Sequence, residues 1–268
     1  MIAALVSEYR KFFTTRMWWI LMICMMAYFL VISLAMAWVF AYAVSGDDGA
    51  VSQYRPMIYG LGASMGYVFP ALVGAVAVTG EYRHRTIVPT YLAEPRRWVV
   101  MTAKALAAIP MGFVIAVAGT VSCLVGGAVG LHLGGADPGL WASQTWKAAG
   151  LSILALTMWS VIGVGLGMLV ISQVGVIITV LAFTQLVEPL ARVGLSAFPS
   201  TSGIAKFFPG AASDAVSGGT SIYSQLSVNG SMMQASSLSV GQGVLVLAAY
   251  GVVFALLGYV ARIRRDVA

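Results

Sequence analysis

The uncharged stretch 148-AAGLSILALTMWSVIGVGLGMLVISQVGVIITVLAFTQLV-187 sets the number of membrane-spanning helices, because its 40 residues include no Asp, Glu, Lys or Arg. A single helix of that length would measure about 60 Å, whereas the hydrocarbon core of a bilayer is about 30 Å thick. The sequence 172-SQVG-175 lies near the middle of the stretch. We therefore divide the stretch there into two membrane-spanning helices.

The composition extends this interpretation to the whole chain. Of the 268 residues, 60% are hydrophobic and 9% are charged, whereas a soluble domain is roughly 45–50% apolar and about 25% charged. Long continuous apolar runs are typical of helices rather than of alternating membrane strands. We predict an all-α integral membrane protein, a single transmembrane domain with six transmembrane helices. The predicted spans are 17–45, 57–79, 104–131, 147–171, 174–195 and 240–261.

The distribution of basic residues predicts the orientation. With six spans, 11 of the 15 Lys and Arg residues lie on the side that carries both termini, which by the positive-inside rule is the cytoplasm. If 148–195 were one span, the basic cluster at 262–265 would lie outside. The charges therefore favour two spans in this region and place both termini in the cytoplasm.

Two segments outside the spans have their own patterns. In residues 1–16 the apolar side chains recur at helical spacing, which predicts an amphipathic helix in the membrane interface rather than a frayed leader. Residues 196–239 are rich in Ser and Gly and far longer than a usual connection. An apolar cluster nevertheless lies there, formed by Phe198, Ile204, Phe207 and Phe208. We predict an external segment that is either a surface loop or a set of re-entrant helices.

Several kinds of chemistry are excluded or disfavoured. None of the four lysines follows a glycine, so the chain has no phosphate-binding loop and is not its own P-loop ATPase. The two histidines are too few to indicate a metal site. The two cysteines lie inside apolar runs and indicate no disulfide. The basic residues lie at the ends of apolar runs, which disfavours nucleic-acid binding. We expect no catalytic residue and no cofactor bound by this chain.

One short motif suggests an alternative function. Residues 62–66 match G-x-S-x-G, the nucleophile elbow of serine hydrolases, with Ser64 at its centre. His132 is the one histidine on the external side in the predicted topology. The same glycines also form a small-residue surface for close helix packing, as do Gly163 to Gly167. We favour packing for both segments.

Glu188 is an acid well inside a predicted span. Arg192 lies one helical turn further on, where the two can pair. Ionisable residues inside a membrane are candidates for function, and a structural pair is the alternative. We assign Glu188, Arg192, Gln185 and Ser64 to a candidate substrate pathway. A proton-coupled secondary transporter that uses Glu188 as its proton carrier is an alternative function.

The segment 80-GEYRHRTIVPTYLAEPRRW-98, between the second and third spans, concentrates charge. Residues 81–97 hold 6 of the 24 charged residues. The positive-inside rule accounts for the arginines on this cytoplasmic segment, but not for its acids and prolines.

The run 80–108 resembles the segment after the second span of bacterial ABC transporter permeases of the type-2 exporter family. Their pattern is approximately E-[YF]-R-x-G-T, a hydrophobic stretch, P-R-R, and A-K near the start of the third span. Arg85 stands where glycine is common in that family. The residues that match the pattern are Glu81, Tyr82, Arg83, Thr86, Pro95, Arg96, Arg97, Ala103 and Lys104.

The resemblance implies a permease subunit in a bacterial cytoplasmic membrane, surrounded by lipid. It would pair with a second permease subunit, identical or not. Each would dock one separate ABC ATPase, which binds ATP and Mg²⁺ and moves a coupling helix at 80–98. We expect the cargo to be hydrophobic or amphipathic, such as a drug, an antibiotic or a lipid. The expected coupling residues are Glu81, Tyr82, Arg83, Arg85, Thr86, Pro95, Arg96 and Arg97.

Overall fold

The computed structural model describes residues 1–43, 48–196, 201–217 and 238–263. The described residues form helices and no strand, and six helices are long and apolar enough to cross a membrane. This confirms the predicted fold class. The elements are α1 (Ile2–Thr14), α2 (Met17–Ala43), α3 (Asp48–Met65), α4 (Val68–Arg83), α5 (Ile87–Ala93), α6 (Arg97–Leu133), α7 (Ser143–Leu169), α8 (Gln173–Ala182), a π-helical turn (Phe183–Val187), α9 (Glu188–Ser196), α10 (Ser202–Ala205), α11 (Pro209–Ser217) and α12 (Val240–Ile263).

The long uncharged stretch does form two spans. The fourth span, α7, ends at Leu169, and Val170 and Ser172 have extended backbone conformations. The Ser172 hydroxyl then accepts a hydrogen bond from the Gly175 amide at 3.2 Å, which caps α8. The fifth span, Gln173–Leu195, continues from α8 through the π-helical turn into α9.

The second and fourth spans form the centre of the bundle. The most apolar windows of the second span (Tyr54–Arg83, comprising most of α3 and all of α4) and of α7 are 78% and 67% buried. Glycines permit this close approach, because a Cβ at Gly163 or Gly167 would overlap the backbone of Ala71 or Ala75 on α4. The α7 glycines therefore have the packing role that the sequence favoured.

The remaining spans lie further out. The most apolar windows of α2, of the fifth span and of α12 are 22%, 22% and 17% buried, and that of the third span, α6, is 50% buried. Long apolar faces of these peripheral helices are therefore left for lipid or for another protein chain.

Helix α11 enters the bundle from the end opposite to α1 and α5. Its residues are buried except for Ala211, which is half-buried, and it packs against α3, α7 and α12. The Ser213 hydroxyl donates a hydrogen bond of 2.8 Å to the carbonyl of Ala63. Ala63 lies nine residues inside the second span, about 13 Å along the helix axis. Of the two conformations considered for this segment, the structure thus has a re-entrant helix at 209–217. Residues 197–200 and 218–237 of the segment lie outside the described residues.

Helix α1 occupies the segment predicted to be amphipathic. Phe12 and Glu8 are buried against the bundle, whereas Ile2, Val6 and Phe13 are exposed apolar side chains. The helix packs against the start of α6, close to the segment between the second and third spans. We call this end of the bundle the α5 end, and the opposite end the α11 end.

Candidate functional site

The charged segment 80–98 consists of the end of α4, a tight turn, α5 and an extended stretch that leads into α6. Ile87 anchors α5, since it is 3% exposed. The turn is closed by hydrogen bonds from the His84 amide to the Gly80 carbonyl at 2.9 Å and from the Thr86 amide to the Glu81 carbonyl at 2.9 Å. The segment thus has a defined backbone conformation at the α5 end.

Arg85 lies at the centre of this turn with a φ of 56°, in the left-handed region. A residue with a Cβ is sterically strained in this region, whereas glycine is not. The turn forms in this chain with an arginine at this position, and the arginine side chain is exposed.

Glu81 points into the protein, where it joins a buried ionic cluster with Glu8, Lys11 and Lys104. Its Oε1 accepts hydrogen bonds from the Lys104 ammonium at 2.6 Å and from the Lys11 ammonium at 2.9 Å. The Glu8 carboxylate accepts hydrogen bonds from the same two ammonium groups, from Lys11 at 2.9 Å and from Lys104 at 2.8 Å. Two carboxylates and two ammonium groups therefore connect α1, α4 and α6.

Three of the four members of the ionic cluster, Glu8, Glu81 and Lys104, are buried, which makes each of these three costly to remove. The Lys104 side chain is 2% exposed, and removing one member of a buried ion pair leaves an uncompensated charge. Lys11 is more exposed and extends the cluster to α5 through a 3.0 Å hydrogen bond from its ammonium to the Thr90 hydroxyl. Burial alone would lower the pKa of Lys11, but hydrogen bonds to Glu81 and Glu8 raise the pKa above its ordinary value. Lys11 is therefore charged at neutral pH.

Two of the predicted coupling residues contact neighbouring elements. The Arg83 guanidinium donates a hydrogen bond of 3.2 Å to the Gln173 side chain at the start of the fifth span. The Arg97 guanidinium lies 5.6 Å from the centroid of the Tyr91 ring, a cation–π contact within the segment. Tyr82 is half-buried.

The other predicted coupling residues are exposed beside two apolar side chains of α5. Leu92 is 80% exposed and Val88 is 47% exposed, and they lie one helical turn apart. We define the outer face of α5 as these two residues and their exposed neighbours. The outer face comprises Arg85, Val88, Leu92, Pro95 and Arg96, with the exposed Thr86 at its edge.

A second polar cluster lies beneath α11. Glu188 is fully buried, and its two carboxylate oxygens accept hydrogen bonds from the Gly210 amide at 2.5 Å and from the Tyr67 hydroxyl at 3.3 Å. Arg192 forms an ion pair of 2.5 Å with the buried Asp214. These contacts connect the fifth span to α11. The charge of Arg192 is thus balanced by an acid of α11 that the sequence did not indicate.

The remaining pathway candidates have different surroundings. Ser64 is half-buried and interacts with Asp214, so it belongs to the cluster beneath α11. The Gln185 side chain, in the π-helical turn, is exposed. The structure therefore groups Glu188, Arg192 and Ser64 and leaves Gln185 apart from them.

Ser64 and His132 lie at different depths. Gly127 of α6 approaches Tyr59 of α3, and the two helices run in opposite directions. Ser64 lies five residues after Tyr59, and His132 lies five residues after Gly127. Because the helices are antiparallel, these two steps lead in opposite directions and separate Ser64 from His132 by about 15 Å along the bundle. That exceeds hydrogen-bond reach, and the geometry does not support a serine–histidine pair.

Among the described residues, no group of His, Cys, Asp and Glu is arranged to hold a metal ion. No protein-family profile matches the chain. No curated protein is significantly similar to it in sequence.

Proposed function

We propose that the chain is the membrane-spanning permease subunit of an ATP-driven exporter of the ABC class, and that a separate ATPase docks on the outer face of α5. The observation that carries this proposal is a short, exposed, apolar helix between the second and third spans. It is flanked by the exposed Arg85 and Arg96, and buried ion pairs lie behind it. The sequence itself supplies no phosphate-binding loop. A permease of this kind therefore requires a docking surface for its ATPase.

The contacts behind α5 supply a mechanical route into the bundle. A push on α5 is passed through the bond between Thr90 and Lys11 to the ionic cluster, and so to α1, α4 and α6. The bond between Arg83 and Gln173 extends the route to the fifth span. Docking and separation of the ATPases would thus move the second, third and fifth spans together. In this role Glu81 transmits the motion and does not touch the ATPase.

A second permease subunit, identical or related, completes the proposed transporter. The poorly buried first, fifth and sixth spans offer apolar faces for it and for the surrounding lipid. The cargo would be hydrophobic or amphipathic, since the spans carry few charges. The cluster of Glu188, Arg192 and Asp214 fastens α11 over the α11 end, where α11 would act as an exit cap.

Association with the ATPase tests this proposal. The variant carries Arg85→Glu, Leu92→Glu and Arg96→Glu, which reverse two charges and place a third on the apolar part of the outer face. We expect the tagged wild-type chain to co-purify from its native host with a protein that contains a phosphate-binding loop. We expect the variant to lose most of that partner and of the ATP hydrolysis that accompanies it.

The matched control is Arg10→Glu, which reverses an exposed charge on α1 at the same end of the bundle. It is expected to keep both the partner and the hydrolysis. Equal recovery of the ATPase with the triple variant would contradict the proposal.

A further inference from the structure

A cavity of about 880 Å³ lies beneath α1 at the α5 end, between α1 and α5 on one side and the first four spans on the other. Its volume is within the range of small-molecule sites, about 300–1,000 Å³. Along α4 the cavity extends from Glu81 to Val73, eight residues or about 12 Å. The cavity thus runs from the surface of the bundle into its apolar interior.

The lining changes from polar to apolar along this length. Near α5 the lining includes the ionic cluster together with Arg16, Thr86 and Glu94. Further in it is formed by apolar side chains such as Leu21, Val73 and Met111. A molecule with a polar head and an apolar chain, aligned as a lipid is in the adjoining leaflet, matches this gradient.

Two residues that line the cavity each have a polar atom that is buried away from the cavity surface and lacks a hydrogen-bond partner among the described residues, namely the Glu81 Oε2 and the Trp18 Nε1. Glu81 is 7% exposed, and leaving a buried carboxylate oxygen unpaired is unfavourable. The carboxylate oxygen requires a donor and the indole N–H requires an acceptor. A ligand that brings both would satisfy the two atoms once the Glu81 and Trp18 side chains turn toward the cavity.

The lining carries charges of both signs. Arg16, the Met1 ammonium and the two lysines of the ionic cluster are positive, and Glu94 and the two glutamates of that cluster are negative. A head group with a negative charge alone would bring no donor to these three carboxylates. A head that carries both signs can pair with acids and bases of the lining at once.

We propose that this cavity binds one zwitterionic amphiphile from the adjoining leaflet, a lipid whose head contains an ammonium and a phosphate. The ammonium lies toward Glu81 and Glu94, and the phosphate lies toward Arg16 and Trp18. The apolar chain lies along Val73 and Ala77. This inference concerns binding alone and is independent of the proposed transport function.

Native mass spectrometry of the purified full chain tests the proposal with phosphatidylethanolamine as the probe and anionic phosphatidylglycerol as the comparison. The variant Ala77→Trp fills the cavity, since Ala77 is an exposed residue of its lining. We expect the wild-type chain to retain one phosphatidylethanolamine in preference to phosphatidylglycerol. We expect Ala77→Trp to lower that retention at least about tenfold, or about 1.4 kcal/mol of binding free energy.

The control Val121→Trp introduces the same side chain on an exposed part of α6 outside the cavity, and it is expected to retain the lipid as the wild type does. Photoreactive phosphatidylethanolamine provides a second readout on the wild-type chain, which needs no variant to fold. Its cross-links are expected on peptides that contain Val73 to Ala77 or Met111. Equal retention by a folded Ala77→Trp, equal binding of phosphatidylglycerol, or cross-links confined to other spans would each overturn the proposal.

Discussion

At the scale of single residues, Lys104 is the group on which the α5 end depends most. Its ammonium is buried between Glu8 and Glu81, so Lys104→Met leaves two buried carboxylates with one shared partner. We expect a loss of about 3–5 kcal/mol in the free energy of unfolding, measured by thermal or denaturant unfolding in detergent. Lys147→Met, at an exposed position, is the control and should change stability by less than about 0.5 kcal/mol. Similar effects of the two substitutions would show that the ionic cluster contributes little.

Arg85 allows a second prediction at this scale. Since its φ of 56° is unfavourable for a residue with a Cβ, Arg85→Gly should stabilise the chain by up to about 1 kcal/mol. Arg83→Gly places the same residue in the last turn of α4, where it should destabilise by about 1 kcal/mol through helix propensity, in addition to losing the bond to Gln173. A higher melting temperature for Arg85→Gly and a lower one for Arg83→Gly would support the turn geometry. A lower melting temperature for Arg85→Gly would argue against it.

Single residues also show what sequence patterns reveal and what they miss. Glu188 and Arg192 were recognisable because ionisable groups are rare inside spans. Asp214 was not, because it lies in a polar segment and becomes buried only when α11 folds into the bundle. Similarly, helical spacing indicated α1, but the pairing of Lys11 with Glu81 depends on a tertiary contact between segments about 70 residues apart.

At the scale of elements, α11 is held by contacts that leave no room for an additional methyl group. A Cβ at Gly210 would lie 2.5 Å from the Glu188 Oε1 and 2.7 Å from the Tyr67 hydroxyl. Gly210→Ala should therefore displace α11 and cost about 1–3 kcal/mol in unfolding free energy. Gly194→Ala, where nothing lies within 4 Å of the added atom, should be neutral or slightly stabilising. The two variants are compared by thermal unfolding, and equal stability would contradict the close contact between Glu188 and α11.

The boundaries of elements were predictable where the pattern has a direct physical cause. Ser172 and Gly175 supply a cap and a flexible position, and the chain breaks there. The interruption of the second span between α3 and α4 also has a direct cause, because Pro70 lacks the N–H that would bond the Gly66 carbonyl. Packing favours the same conformation, since Gly62 and Gly66 lie against the Phe29 ring of the first span. The π-helical turn similarly contains Gln185, whose carbonyl Pro189 leaves without its helical donor.

At the scale of the whole molecule, the six spans follow from length and charge, whereas the arrangement of the spans does not. Hydropathy reflects burial only in part. The 78% buried second span has the lowest mean hydropathy, 1.7, and the 17% buried sixth span has 2.4, but the fifth span has 1.8 although it is only 22% buried. Small residues decide this difference, since glycines on α7 permit contact with α4 on one side and with Phe254 of α12 on the other. The sequence therefore predicts how many helices cross the membrane, and packing decides which of them form the centre.

The central claim is that an ATPase covers the outer face of α5, and labelling of Leu92 tests it most directly. In a chain without Cys24 and Cys123, Leu92→Cys places a thiol on the 80% exposed position. Trp141→Cys places one on the 99% exposed position beyond the C-terminal end of α6. Labelling by a water-soluble maleimide is compared for the purified chain alone and in complex with its co-purifying ATPase. We predict that the ATPase slows labelling at position 92 at least about tenfold and leaves position 141 unchanged. Equal labelling at position 92 with and without the ATPase would contradict the claim.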